Sequence, residues 1–472
     1  MSGVRGVDFI GRSAIELAAL VHQGKAKPSE IVAEHLRQVE AVEPVVHAFL
    51  TVRADRAMAE ARTLDVRRDL AQLPLAGVPV GIKDSVAVAG EPIRLGSLAT
   101  SDKPMAADDE IVKRLRDAGC VVIGKTRQPE LAYIHATESN FGVTRNPWNL
   151  ERSPGGSSGG SSAAVASAEL PIAQASDGGG SIRIPAAYCG LFGIKPGPGL
   201  VPVPGGHDEH WFGLSQWGPL ATTVADGALV LDVMAATSRF RDPQLPNKRL
   251  RIAVSTRSPT IGGRVDRDLR RVVEETADTL RQAGHLITIA DPPYSPRLSL
   301  AYAHRFIVGI ADEVDEFDMK FSSLEARTQR MVRIGRYLRQ HHPVPPDGAD
   351  LWRDRFTAWF SDFDALVTPT TAQASAPAEG WLDVPWARFL LMGSRQAPMT
   401  NPWNVASFPA ASVPGGLTAD GFPLGVQVVA PRGGEGLVLS IAAQLEQLRP
   451  WPRHAPMAER VSASLSAAGI SA

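Results

Sequence analysis

The chain opens on helical periodicity. In "SAIELAALVHQG" the apolar positions Ile15, Leu17, Ala18 and Val21 fall near one face, and Gly24 supplies a stop. "PSEIVAEHLRQVEAV" predicts a second helix, with Ser29 as its N-cap and Ile31, Leu36 and Val39 near one face. A third stretch, rich in Ala and Arg, completes a helical region over about residues 1–65. The pattern then changes period. "PLAGVPVGIKDSVAVAG" reads as a strand interrupted by Gly81, Lys83 and Asp84, and "DDEIVKRLRDAG" followed by "CVVIGK" reads as helix then strand. The same alternation returns in "LRIAVST", "VDRDLRRVVEETADTLRQAG" (ending at Gly284) and "HLITIAD". Residues 300–360 read as amphipathic helices, with Trp352, Phe356, Trp359 and Phe360 on one of them. "FDALVTPTT" and "PLGVQVVAP" are strand-like, and "LVLSIAAQLEQL" is a last helix. Strands alternating with helices predict an α/β protein: a single large domain over 1–472, with a mixed, mainly parallel sheet covered by helices on both faces.

Composition narrows the function classes. The 472 residues are 44% hydrophobic and 21% charged, enough for a sizeable core, and the formal net charge is −1. No basic block interleaves with aromatics, so nucleic acid and anionic membranes are not expected partners. The N-terminus has no basic segment leading into an unbroken apolar run, and no window is long and apolar enough for a membrane span. A cytoplasmic protein is expected. The two cysteines, Cys120 and Cys189, sit in apolar surroundings and predict buried reduced thiols rather than a disulfide or zinc site.

The chemistry concentrates in "SPGGSSGGSSAAVASAELPIAQASDGGGSIRIPAAYCG", residues 153–190. A flexible linker would not be stitched around an apolar insert that reads as a buried helix and strand. A phosphate cradle at a helix start is the alternative, but "GGSSGGSS" matches neither the P-loop nor the dinucleotide fingerprint. The functional reading is that glycines let consecutive N–H groups converge on one point. In "DGGGS" the N–H groups of Gly178, Gly179, Gly180 and Ser181 would form an oxyanion hole beside the Ser181 hydroxyl as nucleophile. Such a serine needs a base. No nucleophile elbow surrounds Ser181, and His207 and His210 in "GGHDEHW" read as a solvated turn rather than a metal site. A buried, neutral lysine can replace histidine, and Lys83, flanked by Val80, Ile82 and Val86, is the candidate.

"GVPVGIKD", "TRNPWNLERSPGGSSGGSSAAVA" and "SDGGGSIRIPAAYCGLFGIKP" together resemble the amidase signature family, the signature core spanning about 75–200. "GKTRQPELA", "FDALVTPT" and "NPWNVASFPAASVPGG…GFPLGVQVVAP" extend the resemblance over essentially the whole chain. The resemblance implies Ser181 as nucleophile, Ser157 as bridging serine after a cis Gly156–Ser157 bond, and Lys83 as base. It also implies that Asp177 and Arg183 brace the loop, with a surface ion pair as the plainer alternative, and that Ser158 fixes Lys83 or the loop by hydrogen bonding. Two departures are Gly197 after "GIKP", where the family usually has threonine, and Ser176, where threonine is common.

The function implied is an amidohydrolase that cleaves a carboxylic amide C–N bond through an acyl-enzyme, with water as second substrate and no cofactor or metal. Carbamate or ester hydrolysis by the same mechanism remains an alternative. So does the glutaminase subunit of a tRNA-dependent amidotransferase, although "LEARTQRMVRIGRYLRQHHPV" fits that subunit poorly. An anion-binding module is the non-enzymatic alternative, and homodimerisation is left open. Aromatics in the segments 202–217 and 352–403 are candidate pocket walls, which would favour an apolar or aryl substrate.

Overall fold

A computed structural model of the chain describes residues 8–345 and 347–458. Its strands are β1 (Phe49–Val52), β2 (Pro79–Lys83), β3 (Val121–Thr126), β4 (Glu138–Ser139), β5 (Gly142–Val143), β6 (Ile172–Asp177), β7 (Phe192–Lys195), β8 (Gln216–Ala221), β9 (Arg251–Val254), β10 (Leu286–Ile289), β11 (Ala365–Pro369), β12 (Ala410–Leu417) and β13 (Pro423–Val429). Apart from the small β4–β5 hairpin they form one sheet, in the order β1-β3-β2-β6-β8-β7-β12-β13-β11-β9-β10. Every residue of β2, β3, β8 and β13 is buried, so the centre of the sheet is covered on both faces, as the α/β reading expects.

The parallel pairing expected from alternation holds in two wings: β2 with β3 and β6, and β9 with β10 and β11. Between them, from β6 through β8, β7, β12 and β13 to β11, every pairing is antiparallel, and β1 is antiparallel to β3. The sheet is therefore less parallel than the alternation suggested. Two central strands carry no legible strand signal. β8 is "QWGPLA", with glycine and proline inside it, and β12, "AASVPGGL", absorbs its Pro-Gly-Gly through a register shift between Pro414 and Gly416.

The first helix, Ala14–His22, starts at a capping box in which Ser13 Oγ accepts from Glu16 N–H while Ser13 N–H donates to the Glu16 carboxylate. Ile15 is exposed, and Ala14, Leu17, Ala18 and Val21 make the buried face. The second helix, Pro28–Val46, begins earlier than expected. Pro28 takes the first helical position, the Glu30 carboxylate accepts the Lys27 N–H at 2.8 Å, and Ser29 lies inside the helix rather than capping it. Helices Pro296–Glu316, Ala326–His341 and Asp350–Trp359 fill the segment read as helical. Trp352, Phe356, Phe360, Trp403 and Phe408, from or beside the segment 352–403 expected as a pocket wall, belong to one core cluster. Cys120 and Cys189 are buried free thiols. No described helix is long and apolar enough to cross a membrane.

Candidate active site

Parallel neighbours deliver their carboxyl ends to the same edge of a sheet, where loops can build a site. Lys83 is the last residue of β2, and Ser176 and Asp177 end its parallel neighbour β6. Lys83 is fully buried. Its Nζ lies 2.7 Å from Ser157 Oγ and 2.9 Å from Ser176 Oγ, and its backbone N–H donates to Gln174 Oε1 at 3.0 Å. Burial disfavours the ammonium and pulls Lys83 down to about 7, against the upward pull of Asp177, Glu313 and Asp84. Near neutral pH this amine is thus divided between its charged and proton-accepting forms.

Ser157 follows a cis peptide bond from Gly156, as the resemblance implied. Gly156 also packs against backbone: a Cβ there would sit 2.6 Å from Ile134 O and 2.8 Å from Ala136 N. Ser158 acts on the loops rather than on Lys83. Its Oγ accepts from Ser176 N–H at 3.3 Å and donates to Ser176 O at 3.2 Å, while its N–H donates to Ser181 O at 3.3 Å. Both glycine-serine loops are thereby held to the end of β6. The helix that follows, Gly159–Ala166, is buried throughout. At its start Gly160 N–H donates to Arg127 O at 3.1 Å, and a Cβ on Gly159 would collide with Thr137. Protein fills the place where a phosphate cradle would need open space.

Asp177 and Arg183 are both fully buried and form a two-pronged pair, Nη2 to Oδ1 at 2.8 Å and Nε to Oδ2 at 2.9 Å, not a surface bridge. Arg183 also donates to Thr400 O, Gln427 Oε1 and Asn404 Oδ1. Burial pushes the Asp177 carboxyl up, but the Arg183 charge and hydrogen bonds, with Lys195 and Asn404, hold it well below the usual carboxylate range. Asp177 in turn gathers the N–H groups of Gly180 (2.7 Å), Ile182 (3.2 Å) and Arg183 (3.4 Å). This corrects the candidate oxyanion hole. The Gly180 N–H is held by Asp177, whereas those of Gly178, Gly179 and Ser181 have no partner among the described residues. Ser181 Oγ is likewise without a partner among them. Asp177→Asn is expected to cost about 3–5 kcal/mol of stability, because it leaves a buried guanidinium uncompensated. Urea unfolding followed by circular dichroism measures it, and an unchanged midpoint would remove the bracing role.

A cavity of about 160 Å³ reaches Ser176 and Gly178. The segment 202–217, expected as a pocket wall, contributes His207, His210, Trp211 and Trp217 to it. His207 pairs with Glu316 at 2.8 Å and His210 Nδ1 lies 2.8 Å from Ser215 Oγ, and no described group of three or more ligand-type side chains could hold a metal. A larger hollow of about 850 Å³, between residues 256–267 and Tyr294–Pro296, touches none of the candidate residues. Sequence reasoning did not single out Gln174, Thr400, Asn404 or Gln427 as holding the site. For Gln174 and Gln427 the available signal was an amide set among apolar positions, in "PIAQASD" and "GVQVVA".

The chain is similar to several known proteins. The family profile described as Amidase matches residues 30–439. The putative amidase AmiB2 of Mycobacterium tuberculosis is 38% identical over 461 residues, covering 95% of this chain and 98% of the relative. An acylamidase of Rhodococcus erythropolis is 35% identical over 471 residues, covering 94% and 97%. Among solved structures, a 6-aminohexanoate cyclic dimer hydrolase superposes with a TM-score of 0.87 at 30% identity, covering 96% of this chain and all of its own.

Proposed function

The chain belongs to the amidase signature family and is a hydrolase acting on amides, and from that premise we propose that it works through a serine acyl-enzyme built from Ser181, Ser157 and Lys83. The observation that carries this reading is the buried Lys83 amine, drawn down to about 7 and placed 2.7 Å from Ser157 Oγ. Uncharged Lys83 takes the Ser157 hydroxyl proton, and Ser157 takes the Ser181 proton as Ser181 Oγ bonds to the amide carbon. The carbonyl electrons move onto oxygen, where the N–H groups of Gly178, Gly179 and Ser181 stabilise them. When the carbonyl reforms, the C–N bond breaks. The leaving nitrogen takes its proton from Ser157, which is resupplied by Lys83. Water then attacks the ester by the same relay, releasing the acid and returning the proton to Ser181. Apolar walls around the cavity support a short apolar or aryl group on the substrate.

The test is a panel offered to the purified chain alone: an aryl acylamide, an aliphatic amide, an aryl carbamate and glutamine, with intact-mass detection of a trapped acyl adduct. Turnover of an acylamide with the adduct on Ser181 is expected. An adduct on another residue, or hydrolysis of glutamine alone, overturns the proposal.

A further inference from the structure

Glu313 stands out among the groups not used by the relay. It comes from the helix Pro296–Glu316 and lines the cavity that reaches Ser176 and Gly178, yet only 7% of its side chain is exposed. A buried carboxylate is costly unless its oxygens receive hydrogen bonds. Oε2 receives one, from Trp211 Nε1 at 3.2 Å. Among the described residues, the basic nitrogen nearest to Oε1 is His210 Nε2 at 3.8 Å, beyond hydrogen-bond distance. Glu316, the other glutamate on this wall, already has His207 at 2.8 Å. A carboxylate oxygen left without a hydrogen bond on the wall of a cavity fits a polar ligand group there.

We propose that Glu313 sets substrate specificity, accepting a hydrogen bond from an ammonium on the half of the amide that enters this cavity. The inference rests on the amide-hydrolysis reading. Size limits that half: about 160 Å³ is close to the roughly 150 Å³ that holds benzene, so it is one ring or a short chain. Trp211, Trp217, Ile93, Met105 and Phe317 supply the apolar walls for the ring, and Glu313 receives its charged end. The substrate class is therefore an amide whose acyl or amine half is a single ring or short chain ending in an amino group.

The test compares anilides of para-aminomethyl-benzoic, para-methyl-benzoic and para-hydroxymethyl-benzoic acids, and the mirrored series with the substituent on the amine half. In one series the aminomethyl compound is expected to exceed the methyl compound in kcat/KM by about tenfold or more, a charge-assisted hydrogen bond. Glu313→Gln keeps an acceptor for Trp211 and is expected to bring that ratio to within about twofold. Because Glu313 also acts electrostatically on Lys83, absolute rates will change, and the ratio isolates recognition. A ratio near one in both wild-type series, or an unchanged ratio in Glu313→Gln, overturns the proposal. A hydroxymethyl compound equal to the aminomethyl one overturns the requirement for charge. Calorimetric binding of para-aminomethyl- and para-methyl-benzamide to Ser181→Ala, with and without Glu313→Gln, separates the two readings. Preferential ammonium binding that depends on Glu313, without turnover of any anilide or of any compound in the acylamide, amide and carbamate panel by the wild type, would sink the hydrolase mechanism and keep the recognition site.

Discussion

Ser181→Ala is expected to lower kcat/KM on the acylamide by about 10⁴-fold or more, because removing a nucleophile abolishes the covalent route and leaves only binding and oxyanion stabilisation. The substitution is clean for a structural reason. The Ser181 contacts that organise the site are backbone ones: its carbonyl accepts from Ser158 N–H, and its own N–H is a candidate oxyanion donor. Alanine keeps both. Its hydroxyl has no partner among the described residues, so removing it breaks no network, and the thermal midpoint is expected to stay within a degree or two. Steady-state kinetics, intact mass and a melting curve on one preparation give the answer. Activity should vanish with the acyl adduct while the fold remains. Near-normal turnover by this variant would end the mechanism, since the proposed acyl-enzyme needs the Ser181 hydroxyl as its nucleophile.

How much of this was legible in the sequence follows from where the information resides. Lys83, Ser157 and Ser181 could be named as candidates because they lie in contiguous motifs whose glycines answer local backbone demands; Gly156, pressed against residues 134 and 136, is one. Strands β9 and β10 and the long helices were readable because a half-buried element writes its period into the chain, whereas the edge strand β1 lies inside the stretch over about 1–65 that reads as helical. The antiparallel centre was not. β8 contains glycine and proline, and β12 depends on an irregularity, so their pairing is decided by partners far along the chain. The same holds for the grip on Arg183. Thr400, Asn404 and Gln427 meet it only through tertiary packing, and nothing near Asp177 in sequence announces that its carboxylate will capture the Gly180 N–H. Aromatic residues misled for a related reason. Trp352 and Trp403 look alike to a sequence reader whether they wall a pocket or fill a core; all four of Trp211, Trp217, Trp352 and Trp403 are core residues here, and Trp211 and Trp217 also line the cavity.

Lys83→Met is the second large effect, expected to lower kcat by about 10²–10⁴-fold, the range of a general acid–base contribution. Methionine keeps most of the aliphatic volume on β2 but offers Ser157 Oγ no basic nitrogen, so the loss reports proton transfer more than packing. The pH profile carries the sharper evidence. Burial disfavours the charged form, so Lys83 titrates near 7 rather than at its usual value above 10. Below that point the ammonium has no lone pair and cannot accept the Ser157 proton. The wild-type kcat/KM should therefore rise about tenfold per pH unit on the acid side and level off above about 7. In Lys83→Met the residual rate should lose this acid limb. A wild-type limb centred near 10 would mean that the lysine stays charged at neutral pH and cannot be the base. An acid limb that survives in Lys83→Met would assign it to another group. If the limb disappears with the lysine, the 2.7 Å contact to Ser157 is the first step of the relay.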